Sequence, residues 1–188
     1  MRIISGKYKG HQLVSFQADH LRPTMDRVKE TLFNKWMGMV EGGKFLDLFS
    51  GTGSLGLEAL SREAQHCTFV DLNQSSIKIL KKNIDKLKID SADYQIINKN
   101  VFQYLKAVPA GSGFDFIVID PPFTEKLAHK VMKSLSDSHV FHEKTLIAIE
   151  SIKQEPMYEQ YKTLKRYDVK DYGDKILSLF EVSLESKS

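Results

Sequence analysis

The chain has 188 residues, of which 41% are hydrophobic and 27% charged, with a formal net charge of +3. This composition is typical of a globular protein and excludes a disordered or fibrous chain. No apolar run is long enough to span a membrane, and the first ten residues lack the apolar region of a signal peptide. We therefore expect a single domain over residues 1–188, located in the cytoplasm.

The cysteine and histidine residues give no indication of a disulfide or a metal centre. Cys67 is the single cysteine, and it lies in an apolar run that predicts a buried strand. The six histidines have no companion at HxxxH or CxxC spacing. No metal is expected.

The first 43 residues predict a basic hairpin followed by a helix. Strand-like runs at residues 2–5 and 11–16 flank a Gly-Lys-Tyr-Lys-Gly turn, and Thr24 is expected to cap a helix with apolar residues at helical spacing. Gly42-Gly43 closes this unit, and residues 44–184 form the predicted catalytic core. Cations are concentrated near the N-terminus, at Arg2, Lys7, Lys9, Arg22, Arg27, Lys29 and Lys35.

From residue 44 onward, short apolar runs alternate with helical patterns, which predicts an α/β fold. The last two runs surround a Tyr-Gly-Asp turn and indicate an antiparallel hairpin. We expect a seven-stranded, mostly parallel sheet of the Rossmann-like type with helices on both faces. The predicted strands are residues 45–49, 67–70, 94–97, 114–119, 145–149, 163–169 and 176–182, and the predicted helices are 55–61, 76–87, 102–108 and 127–135.

A glycine-rich loop follows the first core strand and opens a helix. It reads Asp47-Leu-Phe-Ser-Gly51-Thr-Gly53-Ser-Leu-Gly56. Such a loop lets a cofactor approach backbone amides. Asp71 follows 20 residues after Gly51, at the end of the second strand, where a carboxylate can bind both ribose hydroxyls. NAD and S-adenosylmethionine both carry a ribose, so this pattern alone does not separate them.

Asp47 favours S-adenosylmethionine over NAD. A carboxylate just before the turn repels a pyrophosphate, whereas it attracts the ammonium and sulfonium groups of a cationic cofactor. The loop residues Ser50, Gly51, Thr52 and Gly53 are expected to line the cofactor. Asn100, after the third strand, either accepts a hydrogen bond from the adenine amino group or caps the next helix.

The tetrapeptide Asp120-Pro121-Pro122-Phe123 follows the apolar strand of residues 114–119, beside the predicted cofactor crevice. An aromatic base amine is a poor nucleophile because its lone pair is delocalised into the ring. The Asp120 carboxylate and the Pro121 carbonyl can accept hydrogen bonds from the amino protons and free that pair, while the prolines restrict the backbone. Phe123 can stack on an extruded base. The pattern predicts methylation of an exocyclic amino group.

These motifs together resemble the class I methyltransferases that act on amino groups of bases. Residues 1–10 and 21–34 resemble the N-terminal segments of the bacterial 16S ribosomal RNA guanine-N2 methyltransferases, a family named for guanine 966. The resemblance covers nearly the whole chain. It implies that residues 120–123 hold a guanine of 16S ribosomal RNA or the small-subunit particle. It also implies that the RNA contacts include Arg2, Arg22, Thr24 and Arg27, and we expect Lys7 and Lys9 of the hairpin to contribute phosphate contacts.

Two positions depart from the pattern of that family. Asp71 stands where Glu is common, which shortens the reach to the ribose, and Asn100 stands where Asp is usual. The main alternative is a DNA adenine-N6 or cytosine-N4 methyltransferase, although no separate DNA-reading domain is evident. The other is a catalytically inactive nucleic-acid binding module of the same fold.

Overall fold

The computed structural model describes residues 1–16 and 22–183, with only the backbone described for residues 22–25 and 124. The helices are α1 (Arg22–Lys35), α2 (Ser54–Ser61), α3 (Gln74–Leu87), α4 (Val101–Ala107) and α5 (Ala128–Ser136). The strands are β1 (Lys44–Leu48), β2 (His66–Asp71), β3 (Tyr94–Asn98), β4 (Phe114–Ile119), β5 (Phe141–Ile152), β6 (Gln160–Tyr161), β7 (Leu164–Asp171) and β8 (Lys175–Val182). Short 3-10 helices span Ser91–Asp93 and Phe123–Glu125.

All eight strands form one sheet, in the order β3-β2-β1-β4-β5-β8-β7-β6. Strands β1 to β5 are parallel, and the remaining three pair antiparallel. The predicted Rossmann-like α/β architecture is confirmed, but the predicted count of seven strands is wrong by one. The additional strand, β6, pairs with the start of β7. Because it has only two residues, it is too short to show an alternating pattern in the sequence.

Two apolar cores cover the two faces of the sheet, because successive residues of a strand point to opposite faces. Phe45 and Phe116 face the core built with α1, α2 and α3. Leu46 and Ile117 face the core built with α4 and α5. Within the part of the chain that the structure describes, no helix is long and apolar enough to cross a membrane.

Helix α3 shows how the sequence produces a core-facing helix. The Asn73 side chain accepts hydrogen bonds from the backbone N–H groups of Ser75 and Ser76 and so caps the helix. The apolar residues at helical spacing are buried, and the lysines between them are exposed, as predicted for a solvated face. The buried apolar residues are Ile77, Leu80, Ile84 and Leu87, and the exposed lysines are Lys78, Lys81, Lys82 and Lys86.

The N-terminal segment forms a looser hairpin than predicted. Its two arms meet in a single antiparallel bridge between Arg2 and Gln12 rather than in two regular strands. The segment instead packs on α2, where the buried carboxylate of Glu58 accepts hydrogen bonds from the backbone N–H groups of Ile4 and Ser5 at 2.8 and 3.0 Å. The N–H groups of Ile4 and Ser5 are therefore already paired with Glu58 and do not take part in hydrogen bonds between the two arms of the hairpin.

Helix α1 begins two residues earlier than its predicted cap. Thr24 therefore lies inside the first turn, and the prediction that it caps the helix is wrong. Pro23 suits this position, because a first-turn residue has no intrahelical acceptor for its N–H group. Further along, Trp36, just after α1, packs against Phe116 with ring centroids 5.1 Å apart and fixes the helix to the sheet.

Candidate cofactor and base-binding site

The residues predicted to bind the cofactor and the base follow strands that end at the carboxyl edge of the sheet. Strand β1 lies between β2 and β4 in parallel register, so the ends of these three strands are neighbours. Asp47 lies near the end of β1, Asp71 ends β2 and Asp120 follows β4. Parallel α/β sheets bind ligands at this edge, where the strand order reverses.

The loop after β1 is held in a tight, partly left-handed conformation. Phe49 has a φ of 59° and Gly53 a φ of 89°. A positive φ is sterically unfavourable for a residue with a side chain, and such strain occurs most often at functional sites. The Gly51 N–H donates to an Asp71 carboxylate oxygen at 2.7 Å, and the Gly53 N–H donates to the Ser50 carbonyl at 2.8 Å. The loop shape is thus set before any ligand binds.

Asp71 orders both the glycine loop and the turn that follows β2. One carboxylate oxygen accepts from Gly51, and the other accepts from the Asn73 N–H at 2.7 Å. The side chain is only partly buried, and each oxygen keeps further lone pairs for a ligand hydroxyl. Leu72, the next residue, is 62% exposed. A carboxylate beside an exposed apolar side chain matches the ribose and the adenine face of an adenosine.

Asp47 is buried behind this loop, with 1% of its surface exposed. Its carboxylate accepts a hydrogen bond from the Gly56 N–H at 2.9 Å, at the start of α2. Burial raises the pKa of Asp47 to about 7; the Gly56 bond lowers this pKa and the nearby Asp71 raises it. A cationic ligand in the crevice would stabilise the ionised form. Asp47 therefore orders the turn, and its attraction of a cationic ligand stays a prediction.

Gly56 has a packing role that the sequence motif did not specify. A Cβ atom at this position would lie 2.3 Å from the Phe69 ring and 2.6 Å from the Cys67 sulfur. Only glycine therefore lets the start of α2 approach β2 and present its backbone to Asp47. The predicted burial of Cys67 is confirmed by the same contact.

Two observations indicate room and polarity for a bound cofactor at the loop. The Ser50 hydroxyl is buried and has no hydrogen-bond partner among the described residues. A Cβ atom added at Gly51 would meet only the Phe49 carbonyl, at 3.9 Å, so the space above the loop is open. Buried hydroxyls are normally paired, so the unpaired Ser50 is suited to a polar ligand group. The residues present fit S-adenosylmethionine.

Asn100 caps helix α4. Its side-chain oxygen accepts from the N–H groups of Phe102 at 2.9 Å and Gln103 at 3.3 Å. This is the capping alternative that the sequence left open. The sequence pattern assigns the same side-chain oxygen to the adenine amino group as well. A contact between Asn100 and adenine stays a prediction.

Asp120 and Pro121 present two acceptors at the end of β4. Among the described residues, no donor lies within hydrogen-bonding distance of the Asp120 carboxylate or of the Pro121 carbonyl. Burial raises the pKa of the Asp120 carboxyl well above its ordinary value; the Glu150 carboxylate raises it further and the Lys175 ammonium opposes this rise. The acceptance of a base amino group by Asp120 and the Pro121 carbonyl stays a prediction, and it requires the ionised form of Asp120 for its full electrostatic effect.

The sequence motifs did not include Glu150 and Lys175, which lie beside this centre. The Lys175 ammonium donates to a Glu150 carboxylate oxygen at 3.0 Å and lies 4.3 Å from the centroid of the Phe123 ring. Both side chains are buried. The sequence does show a charged residue near one end of each of these two apolar strands. It does not show that the two side chains form an ion pair, because that depends on the register between the strands.

The N-terminal segment is joined to the glycine loop through two buried polar side chains. The Lys29 ammonium donates to the Arg2 carbonyl at 2.6 Å and to the Ser54 hydroxyl at 3.2 Å. The Asn83 amide donates to the carbonyls of Val14 and Thr52, each at 3.0 Å. The segment predicted to contact RNA is thus in direct contact with the loop predicted to contact the cofactor.

The predicted RNA-binding cations fall into two places. Arg2 lies near the start of α2 at the carboxyl edge, where its guanidinium pairs with Asp26 at 3.5 Å, and Arg27 lies on the first half of α1. The Lys7 N–H instead donates to the carbonyl of Ser61, at the far end of α2. Lys7 and Lys9 are exposed there, about 12 Å along the helix from the edge. The side chains of Arg22 and Thr24 lie outside the described residues.

Among the described residues, no group of three or more His, Cys, Asp or Glu side chains is placed to hold a metal ion.

Comparison with known proteins supplies the family. A family model described as Conserved hypothetical protein 95 matches residues 1–181. Ribosomal RNA small subunit methyltransferase D of Haemophilus influenzae is 40% identical over 157 residues, covering 84% of this chain and 81% of that protein. The Escherichia coli protein of the same description is 36% identical over 151 residues, covering 80% and 74%. The solved structure of Escherichia coli yhhF has a TM-score of 0.85 and 31% identity, covering 98% of this chain and 99% of that one. The chain therefore belongs to the Conserved hypothetical protein 95 family and to the same family as the small-subunit ribosomal RNA methyltransferases D.

Proposed function

We propose that this chain transfers a methyl group from S-adenosylmethionine to the exocyclic N2 amino group of a guanine in 16S ribosomal RNA, guanine 966 by the family resemblance. The observation that carries the proposal is the placement of Asp120 and Pro121, whose oxygens lack hydrogen-bond partners among the described residues and lie beside the glycine loop. The names of the two similar small-subunit methyltransferases support the RNA substrate.

Asp71, Asp47 and the glycine loop would hold the cofactor. Asp71 is placed to accept from the ribose hydroxyls, and the exposed Leu72 is placed to pack on the adenine. The buried Asp47 favours the positively charged methionine end, and Ser50 has an unpaired hydroxyl for a polar group. The cofactor supplies an electrophilic methyl group. The chain's own contribution is to orient that methyl group toward the Asp120 edge.

The reaction centre would act by positioning and electrostatics. Asp120 and the Pro121 carbonyl accept hydrogen bonds from the two amino protons, which draws the nitrogen lone pair out of conjugation with the base. As the new C–N bond forms and the methyl group leaves the sulfonium sulfur, positive charge would develop on nitrogen and the Asp120 carboxylate would stabilise it. Loss of one amino proton would then give the neutral methylated amine. Phe123 stacks on the base and keeps the lone pair aligned with the methyl group.

The RNA would enter over the carboxyl edge, along the first half of α1. The Arg2 carbonyl is linked through Lys29 to Ser54 at that edge, and Arg22, Thr24 and Arg27 belong to the first half of α1. Lys7 and Lys9 lie about 12 Å from that edge along α2, a distance that a folded RNA can span. They would therefore contact phosphates of the same RNA away from the methylated base. We propose that the substrate is 16S ribosomal RNA or the small-subunit particle, and that the protein acts in the cytoplasm.

A direct test uses the purified chain with isotope-labelled S-adenosylmethionine and three acceptors. The acceptors are small ribosomal subunits from cells lacking this methylation, protein-free 16S ribosomal RNA, and double-stranded DNA. Digestion and mass spectrometry should find the label as N2-methylguanine in one or both ribosomal acceptors. Label on adenine or cytosine of the DNA instead would show the alternative amino methyltransferase activity.

A further inference from the structure

A buried ion pair lies directly behind the proposed base-stacking ring. Glu150 belongs to β5 and Lys175 opens β8, and these strands are antiparallel neighbours in which Glu150 pairs with Leu177 and Ile152 with Lys175. Glu150 and Lys175 are therefore diagonal neighbours on one face of the sheet. Asp120 and Phe123 approach this face from the end of β4.

The pair is desolvated and directed toward the site. Glu150 is 7% exposed and Lys175 is 6% exposed, and their charged atoms are 3.0 Å apart. The Lys175 ammonium also lies 4.3 Å from the Phe123 ring centroid, within the range of a cation–π interaction. A buried ion pair is seldom a net source of stability compared with apolar side chains. Its position behind Phe123 therefore calls for another explanation.

The charges around Asp120 come from three strands. Asp47 on β1 and Glu150 on β5 are carboxylates, and Lys175 on β8 is the cation that influences Asp120 most. Asp120 stabilises the positive charge that develops on the amine only when it is ionised, because a protonated carboxyl is neutral and can itself donate a hydrogen bond. Lys175 favours the ionised Asp120, whereas Glu150 disfavours it.

We propose that Lys175 is a positioning residue of the reaction centre, held by Glu150 so that its ammonium fixes the Phe123 ring and opposes protonation of the nearby Asp120. This inference rests on the proposed function for its catalytic meaning. It is separable from that function, because the state of Asp120 is measurable without any substrate.

The first experiment measures the titration of Asp120 in the folded protein. Carbon-detected NMR of protein labelled at the Asp carboxyl carbons follows each side chain, with Asp120→Asn assigning the signal. The Asp120 midpoint should move to higher pH in Lys175→Met, which loses the cation, and to lower pH in Glu150→Gln, which loses the competing carboxylate. A role limited to joining β5 and β8 would not shift the midpoint in opposite directions.

A matched control is available in the exposed pair of Lys153, just after β5, and Asp171, at the end of β7, whose charged atoms are 3.4 Å apart. Lys153→Met should leave the Asp120 midpoint unchanged. Lys175→Arg keeps the positive charge and should keep the midpoint close to that of the wild type. An unchanged midpoint in Lys175→Met, or shifts of the same sign in Lys175→Met and Glu150→Gln, would overturn the inference.

The second experiment measures turnover against pH with small ribosomal subunits. In Lys175→Met the acid limb of kcat should move up by about one pH unit, giving about a tenfold loss on that limb. Cofactor affinity should be unchanged, and Lys175→Arg should recover most of the loss. A wild type that methylates no ribosomal guanine would refute the proposed function, while the NMR titration would still decide the role of Lys175. If the wild type is active and Lys175→Met has the same kcat and pH profile, the inference about Lys175 is refuted but the proposed function is not.

Discussion

The Gly51 backbone N–H donates to the Asp71 carboxylate at 2.7 Å, which joins the loop after β1 to the end of β2. The sequence motif suggests that Asp71 serves the ribose alone. In the structure the same carboxylate also holds the glycine loop and the Asn73 turn. The order of the glycine loop therefore depends on the same side chain that we propose to bind the ribose.

Replacing Asp71 by Ala should weaken S-adenosylmethionine binding by about 1–3 kcal/mol, the usual cost of leaving buried polar partners unpaired. Asp71→Asn keeps one acceptor oxygen and should weaken binding less. Calorimetry on both variants measures the difference, and circular dichroism checks the fold. The same titration with NAD should show no binding. An unchanged affinity in Asp71→Ala would remove this residue from the site.

Cofactor affinity should depend on pH near neutrality through Asp47. The pKa of this buried carboxyl is about 7, and a cationic ligand favours its ionised form. Affinity should therefore rise as the pH increases from about 6 to 8, with release of a proton on binding. Calorimetry in buffers of different ionisation enthalpy measures that proton. Asp47→Asn should abolish the Asp47 contribution to this pH dependence and bind more weakly at pH 8.

The same raised pKa of Asp47 predicts how the stability of the cofactor-free protein depends on pH. Between about pH 4, where an unfolded aspartate titrates, and about pH 7, the folded state retains a proton that the unfolded state has released. The contribution of Asp47 to stability is thus present below pH 4 and is lost as the pH rises to 7. Thermal unfolding of Asp47→Asn should accordingly lose less stability over this interval than that of the wild type. Parallel curves for the two proteins would contradict the pKa.

Charge reversal of Lys7 and Lys9 should weaken RNA binding and reduce its salt dependence, by about one unit of slope for each phosphate that is no longer neutralised. Cofactor affinity should not change, because these residues lie at the far end of α2 from the loop. Lys81→Glu with Lys82→Glu, on the exposed face of α3, is the matched control. If only the α3 variant loses affinity, the RNA surface lies on that helix instead of the hairpin.

Asp120→Ala should lower turnover by about 100-fold to 1000-fold, by analogy with the loss of one preorganised group at a transition-state charge. Binding of the cofactor should be almost unaltered, because the loss acts on the chemical step. Asp120→Asn keeps an acceptor oxygen but lacks the charge, so partial activity would separate geometry from electrostatics. Single-turnover assays on unmethylated small subunits measure both variants. Wild-type turnover in Asp120→Ala would show that the chemistry lies elsewhere.

The residues at the carboxyl edge were predictable because the ends of parallel strands meet there whatever the register. Asp47, Gly51, Asp71 and Asp120 follow from that rule. The Glu150–Lys175 pair was not predictable, because a diagonal contact between β5 and β8 depends on how the two strands are aligned.

Two other features could not be predicted from the hydrophobic periodicity of the sequence. The bridge at Arg2 is isolated because Glu58 of α2 competes for nearby backbone donors, a contact between positions more than 50 residues apart. The two-residue strand β6 has no pattern to detect, and it forms because β7 offers an unpaired edge.

The central claim is tested most directly by mapping methylated guanines in 16S ribosomal RNA from otherwise identical cells with and without this chain. Mass spectrometry of nuclease fragments identifies both the base and its position. We predict that N2-methylguanine is lost at one position, guanine 966, when the chain is absent, and that it returns with the wild-type chain but not with Asp120→Ala. An unchanged methylation map in the cells that lack the chain would contradict the proposed function.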